Sequence, residues 1–254
     1  MKKKNQIRNC IKKLLEVYQK KLIISPSNAD VTGRMSYPAA FSIFMDRAAE
    51  HAELLGLGFA AMKEKNRFWL TVKTKILFTK RPGMAETVTA CTWLEPPDRI
   101  RCNRNYAIQS GDEILVAGKT EWAVMDTAGH TLVPISLVYP DGLKYEKAPA
   151  FTESFARIPD SFDSSETVED YTVRSTDIDI GGHMNNAAYL RALFGSVSCA
   201  ELAAGEIRSI DAVFRKPVYE GDVLTLQRKA NDTGTLFRFT NNAETVFLAK
   251  IEKY

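Results

Sequence analysis

A ten-residue turn that occurs twice constrains this 254-residue chain more than any other feature. Asp30-Val31-Thr32-Gly33-Arg34-Met35-Ser36-Tyr37-Pro38-Ala39 aligns without a gap with Asp179-Ile180-Gly181-Gly182-His183-Met184-Asn185-Asn186-Ala187-Ala188, 149 residues downstream. Asp, Gly, Met and Ala recur, Val31 faces Ile180 and Ser36 faces Asn185. Arg34 stands where the second copy has His183. After each copy, apolar residues return at three- and four-residue steps, which predicts a long helix in each half. The first set is Phe41, Phe44, Met45, Ala48, Ala52 and Leu55, ending near Gly56; the second is Tyr189, Leu190, Leu193, Val197 and Ala200, ending near Gly205. Ser36 and Asn185 are good N-cap residue types for these helices. Lys80-Arg81-Pro82 and Arg215-Lys216-Pro217 form a weaker second match.

Residues 68–78, 86–94, 101–109 and 114–125 are rich in Val, Thr, Ile and aromatics, as are 207–214, 223–229, 235–240 and 245–251. Pro, Gly, Asn and Asp punctuate them, so each reads as a strand bounded by turns. A strand, a turn, one long helix and four antiparallel strands, twice over, is an α+β layout in which each helix buries its apolar stripe on a curved sheet. The stretch between the halves carries Pro140, Pro149 and Pro159, then a run rich in Ser, Asp and Glu. The division expected is a basic N-terminal segment at 1–16, a first unit at 17–140, a linker at 141–170 and a second unit at 171–254.

Composition narrows the class. A 45% hydrophobic and 26% charged content is that of an ordinary globular protein. No apolar run reaches the length of a membrane helix. Met1-Lys2-Lys3-Lys4 is not followed by the apolar stretch of a secretory signal; Ile7, Ile11, Leu14 and Leu15 suit a short amphipathic helix packed on its own domain. Four cysteines without CxxC spacing point to a reducing cytoplasm. The net charge of +3 comes with no stripe of basic and aromatic residues, so nucleic acid is not an expected partner.

The chemistry concentrates in the second turn. Asp179 and His183 put a carboxylate and an imidazole four residues apart, the groups needed to take a proton from water and to hold it. A helix N-terminus offers unpaired amides and positive potential to a developing oxyanion. Gly181 and Gly182 let a ligand come close to the backbone, with Asn185 and Asn186 beside them. Asp179 as a mere cap and His183 as a satisfied core residue is the plainer alternative; loss of the histidine from the first copy argues against it. Other candidates are weaker. Gly56-Leu57-Gly58 follows a helix rather than a strand, the wrong context for a dinucleotide loop. His51 is expected at a helix surface or core edge, and His130 in an exposed turn. No Gly-x-Ser-x-Gly elbow is present, and the histidines are too scattered for zinc. Trp69, Trp93 and Trp122 fall in strands and are expected in the core.

The motif Asp177-Ile178-Asp179 followed by Gly182-His183-Met184-Asn185-Asn186-Ala187-Ala188-Tyr189 resembles the second-domain signature of the acyl-acyl carrier protein thioesterases. Ala48 to Gly56, Lys80-Arg81-Pro82, Thr92-Trp93 and Glu121-Trp122 resemble the first domain of the same family, so the likeness covers roughly 17–254. It implies a tandem (double) hot-dog fold, and hydrolysis of a fatty acyl thioester borne by acyl carrier protein. It places the catalytic roles on Asp179 and His183. Asp179 would activate water or attack directly, and amides near Gly182 and His183 would hold the oxyanion. The acyl chain would enter between the first helix and its sheet, with Phe41, Phe44 and Met45 as candidate lining. No metal or organic cofactor is implied. The chain departs from the family pattern twice: Gly181 stands where an asparagine is usual, and Pro217 where a glutamate often follows the basic pair, with Glu220 three residues on. Hydrolysis of coenzyme A esters, or binding of acyl thioesters without cleavage, fits the same residues. A homodimer is left open, because a duplicated chain already contains the paired sheet that single-unit relatives make by dimerising.

Overall fold

The computed structural model describes residues 16–145 and 148–254; the expected amphipathic pattern at Ile7, Ile11, Leu14 and Leu15 lies outside the described residues. The first half runs β1 (Val17–Ile23), α1 (Tyr37–Leu54), α2 (Phe59–Glu64), β2 (Arg67–Phe78), β3 (Thr87–Leu94), β4 (Cys102–Ser110), β5 (Glu113–Asp126) and β6 (Thr131–Val133). The second runs β7 (Glu166–Thr172), α3 (Asn186–Gly195), α4 (Cys199–Ala203), β8 (Ile207–Phe214), β9 (Val223–Asn231), β10 (Gly234–Asn241) and β11 (Glu244–Lys253). The eight strands expected from alternation are all present, with ends within two residues of the expected ones. β7 begins at Glu166, inside the stretch expected as linker, because it pairs antiparallel with β9 and extends the sheet by one strand.

All strands belong to one sheet, in the order β1-β3-β4-β5-β2-β8-β11-β10-β9-β7, with β6 beside β5. The halves meet at β2 and β8, which pair antiparallel from Lys73 opposite Val213 to Leu77 opposite Ser209. At this seam Lys75 Nζ lies 2.8 Å from Asp211 Oδ2, with both residues buried. The inter-unit segment is tied to the same carboxylate, whose Oδ1 accepts the Ala156 amide at 2.8 Å. Burial pushes the Asp211 carboxyl above its usual range, and Lys75 and the Ala156 amide offset part of that. A continuous core spans both halves, joining residues of α1 and α3 to those of the sheet. Tyr37 of α1 stacks on Phe194 of α3 at 5.3 Å between ring centres, and its hydroxyl accepts the Ile207 amide at 2.9 Å.

Both predicted caps form: Ser36 accepts from the Ala39 amide and Asn185 from the Ala187 amide. The second helix is shorter than its periodicity implies. α3 stops at Gly195, and Ser198 starts α4 through a capping box with Glu201, so the expected single helix is two pieces. Local hydrogen bonding by Ser198 outcompetes continuation of the apolar repeat. Trp69, Trp93 and Trp122 are half-buried rather than core residues. Trp69 and Trp122 lie at cluster margins; the Trp69 indole donates to Leu57 O at 3.0 Å and that of Trp93 to Ala148 O at 2.9 Å.

α1 packs so tightly on the sheet that one strand position admits no side chain. A Cβ on Gly118 of β5 would fall on the Phe44 ring, itself fully buried and stacked on Tyr106 at 4.8 Å. Gly118→Ala is therefore expected to lower stability by about 1–3 kcal/mol, as overpacking of a filled core does. Urea unfolding of the two proteins checks this.

Candidate active site

The repeated turn closes the same way in both halves. Asp179 Oδ1 accepts the Gly181 amide at 2.7 Å, the Gly182 amide donates to Asp179 O, and the Asp179 amide donates to His183 O. In the first half Asp30 Oδ1 accepts the Thr32 amide at 2.9 Å, with Gly33 and Arg34 repeating the other two bonds. Gly33 and Gly182 hold φ of +69° and +81°, a left-handed conformation that a glycine adopts without penalty. Asp177, buried behind the second turn, accepts from the Tyr171 hydroxyl at 2.7 Å and the Arg174 amide at 3.0 Å. Burial, reinforced by that carboxylate, pushes Tyr171 up to about 12.

Asp179 and His183 are both half-buried and line one small space. Measured from the point where a Cβ on Gly181 would sit, Asp179 Oδ1 lies at 3.0 Å and His183 Cε1 at 2.9 Å. Among the described residues, no hydrogen bond joins the two side chains, and Asp179 Oδ2 has no protein partner. The His183 ring lies edge-on to Phe68 at 5.7 Å and to Tyr219 at 6.1 Å. Of the amides near Gly182 and His183 expected to hold the oxyanion, that of Gly182 is committed to the turn, as is the neighbouring Gly181 amide. Within this turn the amides of Ile180, of His183 and of Asn186, the first residue of α3, have no hydrogen-bond partner among the described residues. Asn185 caps the helix through its side chain, and a Cβ on Gly182 would meet nothing within 4 Å, so this face of the turn is open.

The first copy is closed instead. Arg81, fully buried, donates through Nη1 to Asp30 Oδ2 and Met35 O and through Nη2 to Thr32 Oγ1. Its guanidinium lies 4.4 Å over the Tyr37 ring, and Nε reaches Glu206. Arg34, the counterpart of His183, also pairs with Glu206, at 2.6 Å. The backbone shows why the second half lacks such a seal. The Met35 amide donates to Pro82 O, whereas the Met184 amide donates to Val218 O. The alignment of Pro82 with Pro217 is thus one residue out of register, and Pro217 holds the place of Arg81. Lys216 turns away to Glu244, and Glu220 is exposed.

Of the remaining candidates, Phe41 and Phe44 are fully buried between α1 and the sheet and Met45 is half-buried. A cleft of about 440 Å³ lies elsewhere, floored by Phe194, Val197, Leu202 and Phe237 at the C-terminal end of α3, away from Asp179. His51 is not a surface residue: it is fully buried, its Nδ1 2.9 Å from Arg104 Nη1. His130 is exposed in its turn. Among the described residues, no three His, Cys, Asp or Glu side chains gather as metal ligands, and no helix is long and apolar enough to cross a membrane. Phe68 and Tyr219 were not singled out in the sequence, and Arg81 only as half of a basic pair, since a strand aromatic, a loop tyrosine and a basic pair carry no local signal of a shared site.

An eleven-stranded antiparallel sheet carrying two like helix-bearing units, with one open and one sealed copy of the same turn, defines a double hot-dog protein. The chain belongs to the acyl-ACP thioesterase family: residues 15–137 match the model of the acyl-ACP thioesterase N-terminal domain and residues 161–252 that of the C-terminal domain. A chloroplastic acyl-acyl-carrier-protein hydrolase of Cuphea viscosissima is 24% identical over 74% of this chain and 49% of its own length. The chain thus spans about half the length of the curated relatives it first matches. Among solved structures, an acyl-ACP thioesterase of Bacteroides thetaiotaomicron superposes with a TM-score of 0.83 at 20% identity, over 94% of this chain and 98% of that one. A 12:0-ACP thioesterase of Umbellularia californica superposes at 0.79 with 17% identity, over 94% and 97%. These two likenesses bear on the fold.

The seal on the first copy yields a prediction. Arg81→Ala leaves Asp30 and the Met35 carbonyl without their partner in a buried site, which typically costs about 3–5 kcal/mol. A fall in Tm with the second-half turn intact is expected, read by calorimetry.

Proposed function

We propose that this chain hydrolyses fatty acyl thioesters carried on acyl carrier protein, releasing the free fatty acid. The observation that carries the reading is the difference between the two turns. Asp30 is sealed by an arginine, whereas Asp179 keeps a free carboxylate oxygen beside His183 and two unpaired amides. The family membership and the printed names of the relatives support the substrate class.

In this reading the thioester carbonyl lies over the N-terminus of α3, with its oxygen facing the amides of His183 and Asn186. Asp179 takes a proton from water as the water oxygen bonds to the carbonyl carbon. The two amides and the α3 dipole stabilise the oxyanion. The tetrahedral adduct then collapses, the C–S bond breaks, and the proton passes to the departing thiolate. His183 holds the water and donates toward the reacting oxygens. No metal is required, because helix amides take the place of a Lewis acid. The acyl chain runs toward the space between α1 and its sheet, where Phe41, Phe44 and Met45 set its limit. A division into two units, the second starting with β7 at Glu166, a cytoplasmic setting and a homodimer of the whole chain belong to the same proposal.

The test is release of free thiol from acyl carrier proteins loaded with short to long acyl chains, with the matching coenzyme A esters alongside. Turnover on carrier-protein esters is expected to fall as salt rises, because the carrier is acidic. Asp179→Ala and His183→Ala should each lower kcat/KM by at least about 100-fold with the fold intact. Near-parental turnover in either variant contradicts the assignment. Binding of acyl carrier protein with no thiol release would make the chain a binding protein.

A further inference from the structure

We infer that Phe68, supplied by the first half, is a positioning residue for His183 of the second half, with Tyr219 as a second ring in contact with the imidazole. This rests on the catalytic reading of His183 given above.

The chain path explains why the ring is there. β8 ends at Phe214, and its pairing with β2 stops at Lys73 opposite Val213. β2 nevertheless begins at Arg67, so its first residues run past the end of β8 and reach the second-half turn. On that overhang Phe68 is half-buried, although it lies at the beginning of a strand. Its Cζ sits 2.7 Å from the point that a Cβ on Gly181 would occupy. A side chain at position 181 and the Phe68 ring therefore compete for one space. Glycine at 181 is the residue that admits the phenylalanine.

His183 depends on that ring. Its imidazole makes no hydrogen bond to protein among the described residues, so no polar partner fixes its rotation. Phe68 and Tyr219 instead meet it edge-on, at 5.7 Å with 77° between ring planes and at 6.1 Å with 61°. Edge-to-face pairs of this separation add directional attraction to the burial of the ring. Tyr219 is 54% exposed, while Phe68 is half-buried. Packing from two aromatic edges thus does what a hydrogen-bonded neighbour commonly does for such an imidazole. It also makes the geometry of the second-half turn depend on the register of β2 against β8.

The chain has three histidines, so ring resonances can be read singly, with His183→Ala assigning the one of interest. In Phe68→Ala the His183 Cε1–H resonance is expected to shift, because the neighbouring ring current is lost, while those of His51 and His130 hold still. In the thiol-release assay the same variant is expected to lose up to about 100-fold in kcat with little change in KM, as misplacement of a reacting group by an ångström does. Phe68→Leu, which refills much of the space, should keep most of the activity. Gly181→Ala should lose activity, because the added methyl would meet the Phe68 ring at 2.7 Å, His183 Cε1 at 2.9 Å and Asp179 Oδ1 at 3.0 Å. An unmoved His183 resonance in a folded Phe68→Ala protein overturns the inference, and so does a Gly181→Ala variant as active as the parent. If the parent releases no thiol at all, the proposed function fails, and the resonance still decides the aromatic contact.

Discussion

The pairing of β2 with β8 is the constraint on which the rest of the molecule depends. Each unit alone would leave a strand edge open, with its backbone donors and acceptors unmatched. Antiparallel pairing closes both edges at once and turns two half-sheets into one. The Lys75–Asp211 pair is buried in that seam, with the inter-unit segment bound to the same carboxylate through Ala156. A buried ion pair of this kind adds little net stability, yet it tolerates no slip, because a one-residue shift of one strand against the other would put the two charges on opposite faces of the sheet. Register at the seam therefore fixes where the overhanging start of β2 goes, and with it the position of Phe68 against the second turn.

Duplication supplied two nearly superimposable turns, and they have diverged through a handful of side chains. The backbone bonds that close them are the same three in each half. What differs is the use of the carboxylate. In the first half Arg81, Thr32 and the stacked Tyr37 absorb Asp30 into the core, and Arg34 closes over the outside with Glu206. In the second half the place of Arg81 is taken by Pro217, which cannot reach the aspartate, and Lys216 faces Glu244. One copy became a fastening for α1 and the other stayed open to solvent. A carboxylate with an unfilled oxygen beside unpaired helix amides is a poor contributor to stability, as working sites commonly are.

The parts of this molecule legible in the sequence are those set by short-range rules. Strand spans followed from alternation and turn residues, the caps at Ser36 and Asn185 from side-chain chemistry, and the turn around Asp179 from its copy. Three features depended on distant contacts. The break after Gly195 arises because Ser198 and Glu201 cap a new helix, although the apolar spacing carries on through Val197 and Ala200. The burial of His51 arises from its contact with Arg104 on β4, far away in the chain. Part of the reason for glycine at 181 is local, in His183 and Asp179, but the tightest contact lies more than a hundred residues upstream, in Phe68, and only the strand register brings the two together. The one-residue offset between Pro82 and Pro217 is of the same kind. The matching basic pairs suggested one alignment, and the backbone hydrogen bonds from Met35 and Met184 set another.

In the proposed reaction the thioester is handled at the second turn and not at its sealed copy. A crystal structure of the full chain bound to a non-cleavable amide analogue of an acyl-carrier-protein thioester tests it most directly. The analogue's carbonyl is expected over the N-terminus of α3, its oxygen within hydrogen-bond reach of the His183 and Asn186 amides and its carbon facing Asp179. A carbonyl seated at the Asp30 turn, with the Arg81 contact broken, would contradict it, as would an acyl chain bound wholly in the cleft beside Phe194 and Phe237.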